Sequence, residues 1–393
     1  MARHSIKLKA TLVFVLAFAQ AGAETVSARY GKGFIETVKG CRVLHLKGTP
    51  YEMGVQHGVL LREHVRENIR HLIDEMGKEK KLDIMGFQLT PPKMINMIIG
   101  IQKKHVPANY FEELKGLAKG AGVSLEQVQQ ANFIPELFHC SGFAIMDDAT
   151  ADGTLYHGRV LDYATDWRLQ EHAVLMVAEP DGKIPFLNVS FAGFIGSVTG
   201  LNMEKISIGE MGGRGFGLWD GVPMAILVRM VLENAKTLDE AVDVFKNNPR
   251  TCEYYYVVAD GKVNRAVAME ASAKRFELIE PGEKSQRLPH PIEGAVLMSA
   301  GKRYEELVRR VRTNYGKLKA ENALRLMDCG VAMKANLHNV LFETKSTRFW
   351  YSLASKDGQP AATQKYSSFQ LSELLKRRPP EDAVKLRLAV KGL

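Results

Sequence analysis

The sequence predicts an α+β protein whose first third is mostly helical and whose remainder is rich in strands. Three observations carry this. Apolar residues recur at helical spacing before Cys140, short apolar runs separated by turn signals follow it, and helices interrupt those strand runs instead of alternating with them.

Taken in order, the chain opens with Arg3, Lys7 and Lys9, then an apolar run from Leu12 to Ala19, then Ala21-Gly22-Ala23. A basic head, a short apolar stretch and a small-residue site are the pattern of a secretory signal peptide, expected to be cleaved after Ala23. The run is shorter than the roughly 20 apolar residues that span a bilayer, so no stable membrane anchor is expected. The expected location is secreted or periplasmic.

Helical spacing runs from Thr49 to about Lys80 through Met53, Leu60, Leu61, Val65, Ile69 and Leu72, and again from Pro92 to about Phe133. After Cys140 come GFAIMDD, LYHGRVLDY, AVLMVAEP, FLNVSFAG and KISIGEMG, punctuated by Asp152-Gly153 and Pro180-Asp181-Gly182. Helical spacing returns from Pro223 to about Lys246, followed by CEYYYVVAD, RAVAMEAS and RFELIEP. A helical region over about Lys302 to Lys334 and a last strand pair, HNVLFET and RFWYSLAS, close the pattern. The organisation is a signal peptide over 1–23, a helical region over 24–139 and a strand-rich body over 140–393.

With 46% hydrophobic and 25% charged residues, the chain can bury a large core. Removing the leader's three basic residues lowers the formal charge from +9 to +6, and the remaining basic residues are interleaved with acidic ones. The densest cluster, Lys376-Arg377-Arg378, reads as a solvated face, so no nucleic-acid partner is expected. Cys41, Cys140, Cys252 and Cys329 are too irregularly spaced for a disulfide scaffold, although two disulfides are open to them in an exported chain. Paired CxxC and HExxH patterns are missing, as is a phosphate loop, since Gly212-Gly213-Arg214-Gly215 lacks a following Lys-Ser/Thr pair. Neither a metal nor a cofactor is expected.

Position singles out Cys140, which sits where helical patterning switches to strand patterning. Arg159 and Asp162 follow nineteen and twenty-two residues later, a spacing that fits one strand, an Asp152-Gly153 hairpin and the returning strand. Strand alternation puts residues three apart on opposite faces unless the strand ends or bulges near Leu161. The chemistry suits these types. A free thiol titrates near about 8.5 and needs a base or a cation to act as thiolate. Cutting the His139-Cys140 bond would place an α-amino group on the nucleophile's own residue as that base, with Asp162 to hold the amine and Arg159 to favour the thiolate or bind a carboxylate oxygen. Spacing alone leaves open a buried core thiol beside a structural Arg–Asp pair.

CSGFAIMDDATADGTLYHGRVLDY resembles the nucleophile segment of the acyl-CoA:6-aminopenicillanic acid acyltransferase family, related to penicillin V acylases and bile-salt hydrolases. LKGTPYEMGVQHGVLLREHV resembles that family's pro-region, with Gly48, Tyr51, Glu52, Gly54, His57 and Gly58 in order. The resemblance implies a four-layer αββα Ntn-hydrolase sandwich, made as a precursor that cleaves itself before Cys140 into two fragments that stay associated. Cys140 would be nucleophile and amine base together. Arg159 and Asp162 carry over, as does Asn202 in GLNMEK for substrate or oxyanion binding, and Arg303 in SAGKRYEEL matches a later family arginine. The chain departs from the family at His139, where glycine is common, and at VLMSAG, where a Thr-Asn-His signature usually supplies an oxyanion asparagine. A backbone N–H or Asn202 is then the expected substitute.

The implied activity is hydrolysis of linear amide bonds of small N-acyl substrates through a thioester, or acyl transfer if an amine intercepts it. Two readings stand beside it: an unprocessed cysteine hydrolase using His139 or His157 as base, and a non-catalytic exported binding protein with Cys140 idle. His57 is expected to cap or pack a helix, Cys252 and Cys329 to be core thiols, and Tyr254, Tyr255 and Tyr256 to pack in the core. Trp219, after the GGRGFG stretch, is the expected pocket residue.

Overall fold

The structure, a computed structural model, describes residues 27–75, 82–84, 87–134, 140–214 and 217–388. The expected leader and His139 lie outside them.

The chain first forms three strands, β1 (Ala28–Tyr30), β2 (Gly33–Val38) and β3 (Cys41–Gly48). The region before Cys140 is thus less uniformly helical than its periodicity predicts, because helical spacing starts only at Thr49. There Thr49 and Glu52 form a reciprocal capping box that opens α1 (Pro50–Leu60), and α2 (Arg62–Ile69) follows. A small hairpin, β4 (Leu82–Ile84) and β5 (Phe87–Leu89), precedes α3 (Pro91–Gln102), α4 (Ala108–Ala121) and α5 (Leu125–Asn132).

Four glycines explain how α1 and α4 pack. A Cβ on Gly54 would lie 2.0 Å from the Glu113 carbonyl oxygen, and one on Gly116 would lie 2.2 Å from that of Tyr51. Gly58 and Gly120 meet the facing helix backbone at 2.5 and 2.4 Å. The two helices therefore touch along their backbones, which any side chain would prevent.

The strand-rich body follows the predicted order: β6 (Ser141–Asp147), β7 (Gly153–Asp162), β8 (Ala173–Pro180), β9 (Phe186–Phe191), a short β10 (Thr199–Asn202) and β11 (Ile206–Arg214). Then come α6 (Met224–Asn234), α7 (Leu238–Lys246), β12 (Glu253–Asp260), β13 (Arg265–Ser272), β14 (Phe276–Ile279) and β15 (Ala295–Met298). Last are α8 (Gly301–Thr313), α9 (Ala320–Arg325), β16 (Asn336–Glu343), β17 (Arg348–Leu353), β18 (Ser367–Gln370), α10 (Leu371–Leu374) and β19 (Val384–Lys385).

Two sheets organise these elements. The larger has eleven strands in the order β14-β13-β12-β11-β10-β9-β8-β3-β2-β1-β19, and the other has six, β15-β6-β7-β16-β17-β18. Strands β11 to β13 touch β6 and β15 of the smaller sheet, while α6 and α7 contact β10 to β13, and α9 contacts β7 and β16. The fold is mixed α+β, with the main apolar core running between sheets and helices. Cys140 enters at the start of a central strand of the smaller sheet.

All four cysteines are free thiols. Cys252 is buried as expected, but Cys329 is exposed: α9 stops at Arg325, so Cys329 falls in a turn and not on a helix's apolar face.

Candidate active site

Hairpin pairing brings the predicted residues together. Across β6 and β7, Ser141 faces Val160 and Gly142 faces Arg159, with the turn at Asp152-Gly153. On the other side of β7, the register against β16 shifts between Asn336 and His338, so that Leu161 pairs with His338 and Asp162 with Asn336. That irregularity lies on β16, while β7 itself ends at Asp162, the strand end that alternation left open near Leu161.

Cys140 Sγ lies 4.0 Å from the Asp162 backbone oxygen. The Asp162 carboxylate accepts from Arg303 Nη1 at 2.7 Å and from the Met333 N–H at 3.0 Å. Arg303 also donates to Ser141 Oγ at 3.3 Å, and that hydroxyl is 2.7 Å from Ser299 Oγ. Arg159 is fully buried; it donates to the Val160 carbonyl and lies 3.5 Å from Glu210 Oε2. Its path crosses Gly209, where a Cβ would stand 2.8 Å from Arg159 Cδ.

Burial pushes the Cys140 thiol up to about 11; the Arg159 guanidinium opposes this, while Glu210 and Asp162 add to it. A thiol raised that far is protonated at neutral pH and needs a base to react as thiolate. Asp162 is pushed up to about 6, again by burial, against the hydrogen bond from Met333 and the charge of Arg303. His157 is fully buried and pushed down to about 3 by burial and by Arg159, and its Nδ1 is 2.7 Å from Ser207 Oγ. A neutral, hydrogen-bonded imidazole of that kind is a poor general base at neutral pH.

Asn202 is not brought to Cys140. Its Nδ2 donates to the carbonyls of Leu232 and Ala235 at 3.2 and 2.8 Å, and its Oδ1 accepts the Ile206 N–H at 3.0 Å. The amide ties the β10–β11 turn to the end of α6, which uses both its donor hydrogens. Glu210 and Ser299 are site residues that sequence reasoning missed. A carboxylate inside the otherwise apolar run KISIGEMG was the available signal for Glu210, since a charge in a buried strand requires a partner.

Beside this centre opens an apolar cavity. Leu161 and Tyr163 line it on either side of Asp162, with Trp167, Phe191, Phe194 and Trp219. Trp219 was the expected pocket residue; Tyr254 and Cys252 join it. Tyr255 instead lies beneath the Arg287 guanidinium, and Tyr256 packs on Phe245. Residues before Cys140, from Ala131 to Ile134, complete the wall. The centre thus sets a buried thiol, two arginines and a carboxylate beside an apolar chamber whose described lining residues carry no charge.

Comparison with known proteins gives related findings. The chain is 24% identical to protein dcd1B of Dictyostelium discoideum over 86% of its own length and 75% of that protein's. It is 25% identical to the N-acylethanolamine-hydrolyzing acid amidase of Rattus norvegicus over 42% of its length, spanning about half (48%) of that enzyme. Among solved structures, an N-acylethanolamine-hydrolyzing acid amidase ortholog of Caenorhabditis elegans is similar at a TM-score of 0.43 and 16% identity, over 52% of this chain and 93% of that one. Residues 149–288, which contain Arg159, Asp162 and Glu210 but not Cys140 or Arg303, match the family profile of acyl-coenzyme A:6-aminopenicillanic acid acyl-transferase, and the resemblance to that family is thereby borne out.

Proposed function

We propose that the chain is an exported N-terminal-nucleophile amidohydrolase, an αββα sandwich that cleaves itself before Cys140 and then hydrolyses linear amide bonds of small N-acyl substrates. The observation that carries this reading is the convergence of Cys140, Arg159, Asp162 and Arg303 beside an apolar cavity. The amidase relatives and the helices on both sides of the paired sheets support it.

In this reading, cleavage of the His139-Cys140 bond frees the α-amino group of Cys140, which takes the thiol proton. The thiolate adds to the substrate carbonyl, and the tetrahedral oxyanion collapses to a thioester as the amine leaves with a proton. Water then adds to the thioester, releasing the carboxylic acid and restoring the thiol. Arg159 favours the thiolate. Asp162, held by Arg303 and the Met333 N–H, holds the new ammonium group through its position next to Cys140. Since Asn202 is engaged elsewhere, a backbone N–H is the oxyanion donor. The apolar chamber takes the acyl group. Export rests on the basic head, apolar run and small-residue site of the first 23 residues, and the two fragments stay associated through the helices that pack on the body.

The test is a panel of N-acyl substrates of graded acyl length, assayed by amine release, with Cys140→Ala as the control. Amine release by the wild type alone supports the reading; release by neither protein, or equally by both, overturns it.

A further inference from the structure

The loop between β9 and β10 forms one wall of the cavity, and buried or half-buried side chains from other elements hold its backbone. Asn68 Nδ2 donates to the Ala192 carbonyl at 2.8 Å, and the Gly193 N–H donates to His57 Nε2 at 3.0 Å. Asn132 bridges two positions, donating to the Gly193 carbonyl at 2.8 Å and accepting the Ile195 N–H at 2.8 Å. Arg229 Nη1 donates to the Ile195 carbonyl at 2.6 Å and is itself held by Glu113 at 3.1 Å. Gly193 has φ +98°, a left-handed conformation that the loop needs at that point.

Three of these four side chains, His57, Asn68 and Asn132, precede Cys140. His57 and Asn68 are fully buried, and no other loop in the described residues is gripped at so many successive backbone groups by the region before the cysteine. Burial, with the nearby Arg229 charge, pushes His57 down to about 3, so it stays neutral and its Nε2 lone pair is available to the Gly193 N–H. The loop carries Phe194 and Gly196 into the cavity and joins Phe191 to Val198.

We infer that His57, Asn68, Asn132 and Arg229 are positioning residues that set the shape of the acyl chamber by fixing residues 192–195. The region before Cys140 is then a permanent template for substrate binding and does more than carry the processing site. This rests on the reading of the cavity as the acyl site. His57 acts through the loop and not on the reacting atoms, which accounts for a buried histidine on a helix whose other buried side chains, Gln56 apart, are apolar.

Two readouts test it in a Cys140→Ala background, where nothing turns over: hydrogen exchange at the Gly193 and Ile195 amides, and laurate binding followed by the fluorescence of Trp167 and Trp219. His57→Leu, which loses one hydrogen bond to the loop, and Asn132→Ala, which loses two, are expected to speed exchange at Gly193 and Ile195 respectively by about tenfold or more and to weaken laurate binding by about tenfold. His57→Gln, which restores an acceptor, is expected to recover protection at Gly193; a merely space-filling role would not distinguish it from leucine. If His57→Leu does not fold, the same readouts on Asn132→Ser decide. Folded variants with wild-type exchange and wild-type laurate affinity would overturn the inference, as would a parent protein that binds no laurate. Predicted loop behaviour and laurate binding, with no amine released by the protein bearing Cys140, would instead refute the amidase reading and leave the loop assignment standing.

Discussion

Replacing Gly209 by alanine adds one methyl group and removes no chemistry, yet it is expected to disable the centre. The new Cβ would lie 2.8 Å from Arg159 Cδ and 3.4 Å from both Arg159 Cγ and His157 Nε2. The atom it meets is mid-chain in an arginine that is fully buried and held at its far end by Glu210 and the Val160 carbonyl, so the strain cannot be relieved by swinging a free end into solvent. Overpacking of this kind costs roughly 1–3 kcal/mol. A guanidinium displaced by about 1 Å lowers turnover on the order of 100-fold, because the thiolate loses the cation that opposes its burial. Thermal melts give the stability change, and the pH dependence of iodoacetamide alkylation at Cys140 gives the thiol's titration. Gly209→Ala should raise the pH at which alkylation reaches half its maximum. A variant with wild-type melting and wild-type alkylation would show that the position of Arg159 does not matter to the thiol.

Arg303→Met removes the cation from a carboxylate that is almost wholly buried, and is expected to cost about 3 kcal/mol in urea unfolding; adding Asp162→Asn should recover most of that loss. Glu113 is pushed up to about 7 by burial, so its folded value lies above its unfolded one of 4.5. Its contribution is present below about pH 4.5 and lost as pH rises through about 7, and the melting-temperature difference between wild type and Glu113→Gln should shrink over that window. Asn202→Ala loses three hydrogen bonds in the β10–β11 turn and should lower stability by roughly 2–3 kcal/mol, with turnover per folded molecule kept. A fall in turnover with stability intact would return Asn202 to the substrate side.

Local periodicity made much of the architecture legible. The runs after Cys140 became strands nearly where their alternation and turn residues put them, and the helices from Pro50 onward follow their apolar spacing and caps. Strands β1 to β3 and the short β10 were harder to read. The three residues of β1 and the four of β10 carry no periodic signal; β1, β2 and β3 pair with one another as a local meander, and only its outer pairings, β3 parallel to β8 and β1 parallel to β19, reach far along the chain. At the site, Cys140, Arg159, Asp162 and Arg303 could be singled out by spacing and resemblance, because one hairpin and one ion pair bring them together. Asn202 illustrates the limit: an asparagine in a suggestive motif serves either a substrate or its own turn, and only the carbonyls around it decide. The grip of His57, Asn68 and Asn132 on residues 192–195 spans 61 to 136 positions, and no local pattern encodes it. The glycines of α1 stand between these levels, since Gly54 and Gly58 are visible in sequence but their reason, backbone contact with α4, is tertiary.

Intact mass spectrometry with N-terminal sequencing, on the purified protein and its Cys140→Ala variant, tests the central claim most directly. Two wild-type fragments, one beginning at Cys140, and a single variant chain are the predicted result; a single intact wild-type chain would contradict the self-processing nucleophile.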